Sequence, residues 1–248
     1  VCPKEEVNMK YGKWLIGSCL ALASWAAPAQ SIMEVYDKPC SVGVRVGFNS
    51  TFPVIHSFML DDQPIDHFRL HYKVGYMASV SFSVNMNQFF IQPAVNWERC
   101  STEIQFAWPQ TDEIYPSGNT IQYDHKLDAE YNSVAVPVLV GYHLVKEGPY
   151  GLNIKLGPKG IYHYKKQQTG SGPQAVITHQ DDNINYAIDF VTAVGVTIGR
   201  LFLDFSYEFE LHKTQSTYAY QCLIQDRAGT LSIQQRRNAL SFSLGMIF

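Results

Sequence analysis

The segment HYKVGYMASVSFSV, residues 71–84, decides the fold class. Read with a period of two, it puts Tyr72, Val74, Tyr76, Ala78, Val80, Phe82 and Val84 on one side. His71, Lys73, Gly75, Met77, Ser79, Ser81 and Ser83 fall on the other. A helix would need apolar residues three and four apart; strict alternation marks a strand whose two faces meet different surroundings. One face here is large and apolar, the other small or polar.

The same pattern recurs along the chain. From Ser41, the side chains Val42, Val44, Val46 and Phe48 oppose Gly43, Arg45, Gly47 and Asn49. Further alternating runs lie around Gln88 to Cys100, Tyr131 to Leu144 and Tyr150 to Lys165. Three more follow: Ile184 to Ile198, Leu201 to His212, and Arg237 to the terminal Phe248. No stretch after Gln30 carries a capped helical period. The reading is therefore all-β, with eight strands.

The connections set the topology. Strands two and three join near Asn85-Met86-Asn87, four and five near Lys146-Glu147-Gly148, and six and seven through Gly199-Arg200. The others, roughly 51–69, 101–130, 166–183 and 213–236, are long and are expected to be loops. Short and long connections alternate, as in an up-and-down antiparallel barrel with its tight turns at one end.

Which face turns inward follows from volume. An eight-stranded barrel has a lumen only wide enough to be filled by side chains. The large apolar faces would overfill it, whereas the Gly, Ala, Ser and scattered ions of the opposite faces fit. Tyr72, Trp97, Tyr164, Tyr186 and Phe209 fall near one set of strand ends, and Phe82, Tyr142, Tyr150 and Phe248 near the other. Aromatic rings favour the interfaces of a bilayer. The fold expected is an eight-stranded antiparallel up-and-down transmembrane β-barrel, with its N-terminus in the periplasm and its long connections outside. A formal net charge of -3 argues against a nucleic-acid partner, which needs a concentrated basic surface.

The N-terminus supplies the address. Lys10 and Lys13 precede an apolar run from Trp14 to Ala27, and Ala27-Pro28-Ala29 forms a small-residue cleavage pattern. Together these describe a secretory signal peptide over residues 9–29. Residues 1–8 read as an unfolded upstream extension, 30–40 as a short N-terminal segment, and 41–248 as the barrel domain. The location expected is the bacterial outer membrane. Of the cysteines beyond the leader, Cys40 maps to the turn end, and Cys100 and Cys222 to the far end. If a disulfide forms, the pair is Cys100 and Cys222. No zinc-type cysteine spacing is present.

The strands resemble the PorT-like outer-membrane β-barrel family of Bacteroidetes. The resemblance lies in Phe89-Phe90-Ile91-Gln92-Pro93, Val134-Ala135-Val136-Pro137-Val138-Leu139, Gly157-Pro158 and the closing Leu240-Ser241-Phe242-Ser243-Leu244-Gly245. Ala94-Val95 stands where that family usually has Glu-Leu after the third-strand proline, and Ser206-Tyr207 where Arg-Tyr is frequent. The resemblance implies the barrel, and a secretion-accessory role only as an alternative. The terminal Phe248 is also typical of chains handed to the barrel-assembly machinery.

The polar faces carry Arg45, Lys73, Glu98, Lys155, Lys159, Asp189, Asp204, Glu208, Glu210 and Arg237. Charges turned into a narrow lumen must pair, so a structural salt-bridge network is expected. Arg69, Lys165, Lys166, Arg227 and Arg236 fall in loops or at outer strand ends. They are candidates for contacts with lipopolysaccharide phosphates. No Ser/His/acid constellation stands out for catalysis, and no metal site or cofactor is expected. The function expected is a non-enzymatic outer-membrane barrel with a structural or surface-interaction role, embedded in lipid and lipopolysaccharide. External loops would meet any protein partner. The alternatives are a narrow pore and a membrane-embedded lipid A hydrolase.

Overall fold

The computed structural model describes residues 39–61, 63–65, 67–107, 123–172, 175–180, 185–222 and 228–248. Residues 9–29, expected to be a signal peptide, and Arg227 lie outside them. The strands, in chain order, are β1 (Cys40–Leu60), β2 (Gln63–Pro64), β3 (Phe68–Tyr72), β4 (Val74–Met86), β5 (Phe89–Phe106) and β6 (His125–Glu147). Then come β7 (Tyr150–Ser171), β8 (Ala175–Gln180), β9 (Tyr186–Ile198), β10 (Leu201–Glu210), β11 (Thr214–Cys222) and β12 (Ala228–Ile247).

Every pairing is antiparallel. Following β1, β4, β5, β6, β7, β9, β10 and β12, the ladder returns to β1 and closes a ring through eight strands. A closed ring leaves none of these eight with an open edge through the shared tier. The three tight turns turn on left-handed residues, Asn87 (φ 59°), Gly148 (φ 56°) and Gly199 (φ 59°), all at the same end of the ring. Two-residue hairpins need such backbone, which glycine supplies freely and asparagine tolerates.

The far end departs from the sequence reading. The described parts of the stretches expected as long loops are largely strand. β1, β6, β7 and β12 run for 20 to 23 residues, against 13 for β4 and β9 and 10 for β10. Above the three short ring strands the sheet is continued by four extra ones. β2 pairs with β1, β3 with β5, β8 with β7 and β11, and β11 with β12. The molecule thus has a lower tier next to the turns and an upper tier beyond it.

The two tiers have opposite polarity. In the lower tier of β5, Val95 and Trp97 point outward and are exposed, while Asn96 and Glu98 are buried. Four residues on, Arg99, Glu103 and Gln105 take the outward register, and Ile104 and Phe106 turn inward at 6% and 0% exposure. Apolar side chains leave water wherever water is, so the inversion marks where the outer surroundings change from apolar to aqueous. In the upper tier Phe58, Leu60, Ile104, Phe106, Leu127, Ile177, Tyr218, Tyr220, Leu231 and Ile233 form one buried cluster. Two register shifts serve the change. One lies between Ile55 and Ser57, the other at Asn132/Ser133, where Lys165 and His163 are the partners. Each bulge adds a residue and flips the faces beyond it.

Below the inversion, β4 presents an outward band from Val74 to Val84. Eleven residues at ~3.3 Å rise and a tilt near 40° cover about 25–28 Å, the height of a barrel's lipid-facing band.

Candidate functional site

The lumen is filled from the turn end upward. A cavity of about 110 Å³ opens there, lined by Ser41, Ser81, Ser83, Gln92, Asn153 and Thr197. Phe90 narrows it, its ring packed where Gly141 has no side chain: a Cβ there would sit 2.0 Å from the Phe90 Cζ. The floor of the cavity is ionic. Asp204 accepts from Lys155 Nζ at 2.6 Å and from Arg45 Nη1 at 3.1 Å. Arg45 reaches Asn96 Oδ1 at 3.4 Å, and the Asn96 amide passes the chain of bonds to Glu98 Oε1 at 2.9 Å.

The next layer is centred on Lys159, which is 1% exposed. Its Nζ lies 2.8 Å from Glu98 Oε1 and 2.6 Å from Glu208 Oε2. Above it, Arg237 holds Glu210 through Nη2 at 3.1 Å and through its backbone N–H at 2.8 Å. The same guanidinium lies 3.2 Å from His163 Nε2 and 4.8 Å over the Tyr131 ring. Asp189 stands opposite Lys159 on β7 and Glu210 on β10, buried, with Oδ1 making no hydrogen bond. Four cations face five carboxylates in a column whose side chains are all buried or nearly so. Attraction at these distances in a low-dielectric interior offsets the cost of dehydrating them.

The structure therefore brings Arg45, Glu98, Lys155, Lys159, Asp189, Asp204, Glu208, Glu210 and Arg237 into one column. Lys73 is elsewhere. It lies in the break between β3 and β4, with its side chain 41% exposed, and bonds Asp128 at 2.6 Å and Glu103 at 3.0 Å on the outer wall. Alternation carried Lys73 inward on paper because the break could not be seen. Those outer contacts raise the Lys73 ammonium above its ordinary value, through hydrogen bonds to Asp128 and Glu103.

Cys100 and Cys222 are both free thiols, as is Cys40. Cys100 hydrogen-bonds Thr51, which pairs with Ala239, whereas Cys222 lies just beyond the Gln221–Ala228 pair. About ten residues of β12 separate those levels, on the order of 30 Å of strand. A disulfide needs Cα atoms within about 7 Å.

The outward wall directly above the aromatic layer is polar. Trp97 donates to Tyr164 Oη at 2.6 Å, and Arg99 donates to Tyr76 Oη at 3.1 Å and to Glu130 at 2.7 Å. The Glu130 carboxyl is held below its ordinary value by that guanidinium. The candidate phosphate contacts divide. Arg69, Lys165 and Arg236 are exposed, while Lys166 falls on the inward register opposite the buried Tyr131. Among the described residues no cluster of His, Cys, Asp and Glu is arranged to hold a metal ion. His125, expected in a loop, opens β6 inside the apolar cluster, 1% exposed, its ring 5.4 Å from that of Phe106.

A closed eight-stranded ring with an apolar outer band and a polar, ion-filled interior is the architecture of an outer-membrane barrel. The chain belongs to the outer membrane protein beta-barrel domain family, whose model matches residues 28–216, and it is a bacterial outer-membrane β-barrel protein. Among solved structures it is similar to OprG from Pseudomonas aeruginosa, at 7% identity and a TM-score of 0.51. That match covers 87% of this chain and 99% of OprG. It is also similar to AlkL, determined in DMPC bilayers (10% identity, TM-score 0.47, 90% and 95% covered). A third is Ail of Yersinia pestis, crystallised with the heparin analogue sucrose octasulfate (9% identity, TM-score 0.38, 85% and 100% covered). At these identities the likeness is one of fold. No curated protein matches the sequence.

Proposed function

We propose that this protein is a sealed, non-enzymatic transmembrane barrel that presents its upper tier outside the cell as a rigid surface for interaction. In this reading the leader at residues 9–29 exports the chain, and barrel-assembly machinery inserts it. Lipid and lipopolysaccharide then surround the lower tier, with the tight turns in the periplasm. The PorT-like kinship rests on the short motifs quoted above and leaves a secretion-accessory role as a narrower form of the same reading.

One observation carries it: the path through the ring is blocked twice. The Lys159 layer has no side chain more than 9% exposed, and above it Phe106, Leu231 and Ile233 are at 0–1%. Eight strands leave no room for a channel around such side chains. A packed sheet in the place of loops also pre-organises whatever surface it offers, which lowers the entropic cost of binding. Reconstitution into planar bilayers tests the seal. The expected trace has no unitary conductance; steady single-channel steps from homogeneous protein would overturn the proposal.

A further inference from the structure

The lower tier is not uniformly convex. A groove of about 600 Å³ crosses its outward face over β12, β1, β4 and β5, with Val46, Ala78, Val80, Val95, Leu244 and Trp97 among its walls. Its floor is Ala78, the smallest outward side chain of β4, set in register between Val46 on β1 and Trp97 on β5. That volume lies in the range of ligand sites, and the lining is aliphatic with one aromatic wall.

The groove ends at a layer of different chemistry. Tyr76 and Trp97 pack at 5.5 Å, and the Arg99 guanidinium lies 5.7 Å from the centre of the Tyr76 ring. Arg99, Asn132 and Lys165 form the first polar row above the aromatic layer, aligned by register across β5, β6 and β7. That row carries two cations and no carboxylate. At ~4.8 Å between neighbouring strands the two cations stand about 10 Å apart. Glu130 takes one side of Arg99 and leaves its side chain 40% exposed. Lys165 has no carboxylate within ion-pair distance among the described residues, and neither do Arg69 and Lys126, which stand three outward rows higher, beyond Glu130 and the Glu103–Asp128 row. Across this wall the five cations Arg69, Lys73, Arg99, Lys126 and Lys165 stand against the four acids Glu103, Asp124, Asp128 and Glu130.

We infer that this face binds one phosphorylated, multiply acylated glycolipid of the outer leaflet. One acyl chain lies in the groove over Ala78, and the lipid's two phosphates are held one by Arg99 and one by Lys165. The inference rests on the orientation proposed above, with the upper tier outside. An ordinary phospholipid offers the chain but a single phosphodiester. A glycolipid bearing two phosphates matches both cations, and charge-assisted bonds to phosphate are the strong ones.

The test is native mass spectrometry of the purified protein in detergent, titrated with bisphosphorylated lipid A, its dephosphorylated form, or phosphatidylglycerol. Lipid A is expected to half-saturate at about tenfold lower concentration than either of the others, the worth of one or two charge-assisted bonds. Arg99→Gln/Lys165→Gln should erase that preference, whereas Ala78→Leu, which fills the floor from the outside, should weaken retention of all three lipids together. Both variants should keep the heat-modifiable gel band of a folded barrel. Equal retention of the three lipids, unchanged selectivity in the double variant, or unchanged retention in Ala78→Leu would overturn the inference. Orientation is read separately, by labelling Lys165 on intact cells with a membrane-impermeant amine reagent. Labelling without lipid selectivity defeats the glycolipid site alone. Protection of Lys165, reactive only after the cells are opened, defeats the orientation and the site with it.

Discussion

Replacing Lys159 with methionine keeps most of the side-chain volume and removes the only charge between two buried carboxylates. Glu98 and Glu208, now 2.8 and 2.6 Å from the ammonium, would face each other without it. Removing one partner of a buried pair costs about 3–5 kcal/mol. The structure sets an independent bound, because the variant can escape by taking up one proton on either carboxyl. From an ordinary glutamate value near 4.3, that costs about 3.7 kcal/mol at pH 7 and about 1 kcal/mol at pH 5. K159M should therefore be destabilised by about 3–4 kcal/mol at pH 7, a several-hundredfold shift in the unfolding equilibrium, and by much less at pH 5. The triple variant K159M/E98Q/E208Q should recover to within about 1 kcal/mol of the parent, since neutral amides can bond each other and Asn96. Urea unfolding in micelles, followed by heat-modifiable mobility at both pH values, measures all three. A K159M protein within about 1 kcal/mol of the parent at pH 7 would refute the reasoning, as would a triple variant as weak as the single.

Three further outcomes follow from the same geometry. Phe106→Ala should loosen the upper tier by about 3–5 kcal/mol, seen as protease trimming there at lower urea, while bilayers stay silent because the Lys159 layer is untouched. Burial holds the His125 imidazole below its ordinary value, against the opposing pull of Asp124, so the unfolded chain binds the proton first. Stability of the upper tier should be undiminished above about pH 6.5 and fall as pH drops below it; hydrogen exchange at the outer ends of β5 and β6 should show this, and His125→Leu should flatten it. Under oxidising conditions Cys40, Cys100 and Cys222 should all alkylate after unfolding without reductant, and a mass two hydrogens lower in the unlabelled protein would contradict the free thiols.

The eight ring strands were legible because in the lower tier each carries an alternation of constant sense, as from Val42 to Phe48 and from Val74 to Val84. The upper tier was hidden by three local events. At His56 a bulge inserts one residue, so Phe58 and Leu60 appear on the wrong parity. On β5 no bulge intervenes, but the sense inverts between Trp97 and Ile104, and a window spanning both halves sees polarity on both faces. At Lys73 the chain breaks between β3 and β4, so one continuous run of alternation belongs to two strands with different partners. The ion column was partly legible, since inward parity named nearly all its members, but which cation meets which acid depends on register around the whole ring. The groove over Ala78 had no sequence signal: alanine is an ordinary outward residue until its neighbours on β1 and β5 are known to be larger.

The polarity inversion explains why the lower tier carries charges at all. A hydrophobic lumen would pack equally well, and buried ion pairs add little net stability over apolar residues of the same volume. Strands apolar on both faces, however, have nothing to distinguish a register from its neighbour one residue away. A single-residue slip would turn Val44, Val46 and Phe48 inward without penalty. With Arg45, Lys155, Lys159 and Glu208 on the inner face, the same slip places ions in lipid, at several kcal/mol each near the midplane. In the upper tier water surrounds the outside, so the same discrimination is achieved with Phe106, Leu231 and Ile233 inside and Arg99, Glu103 and Lys126 outside. Both tiers obey one rule, that the two faces of every strand differ sharply in polarity, and the surrounding solvent alone fixes its sign. The sealed lumen proposed here would then be a consequence of register specification, with no dedicated plug required.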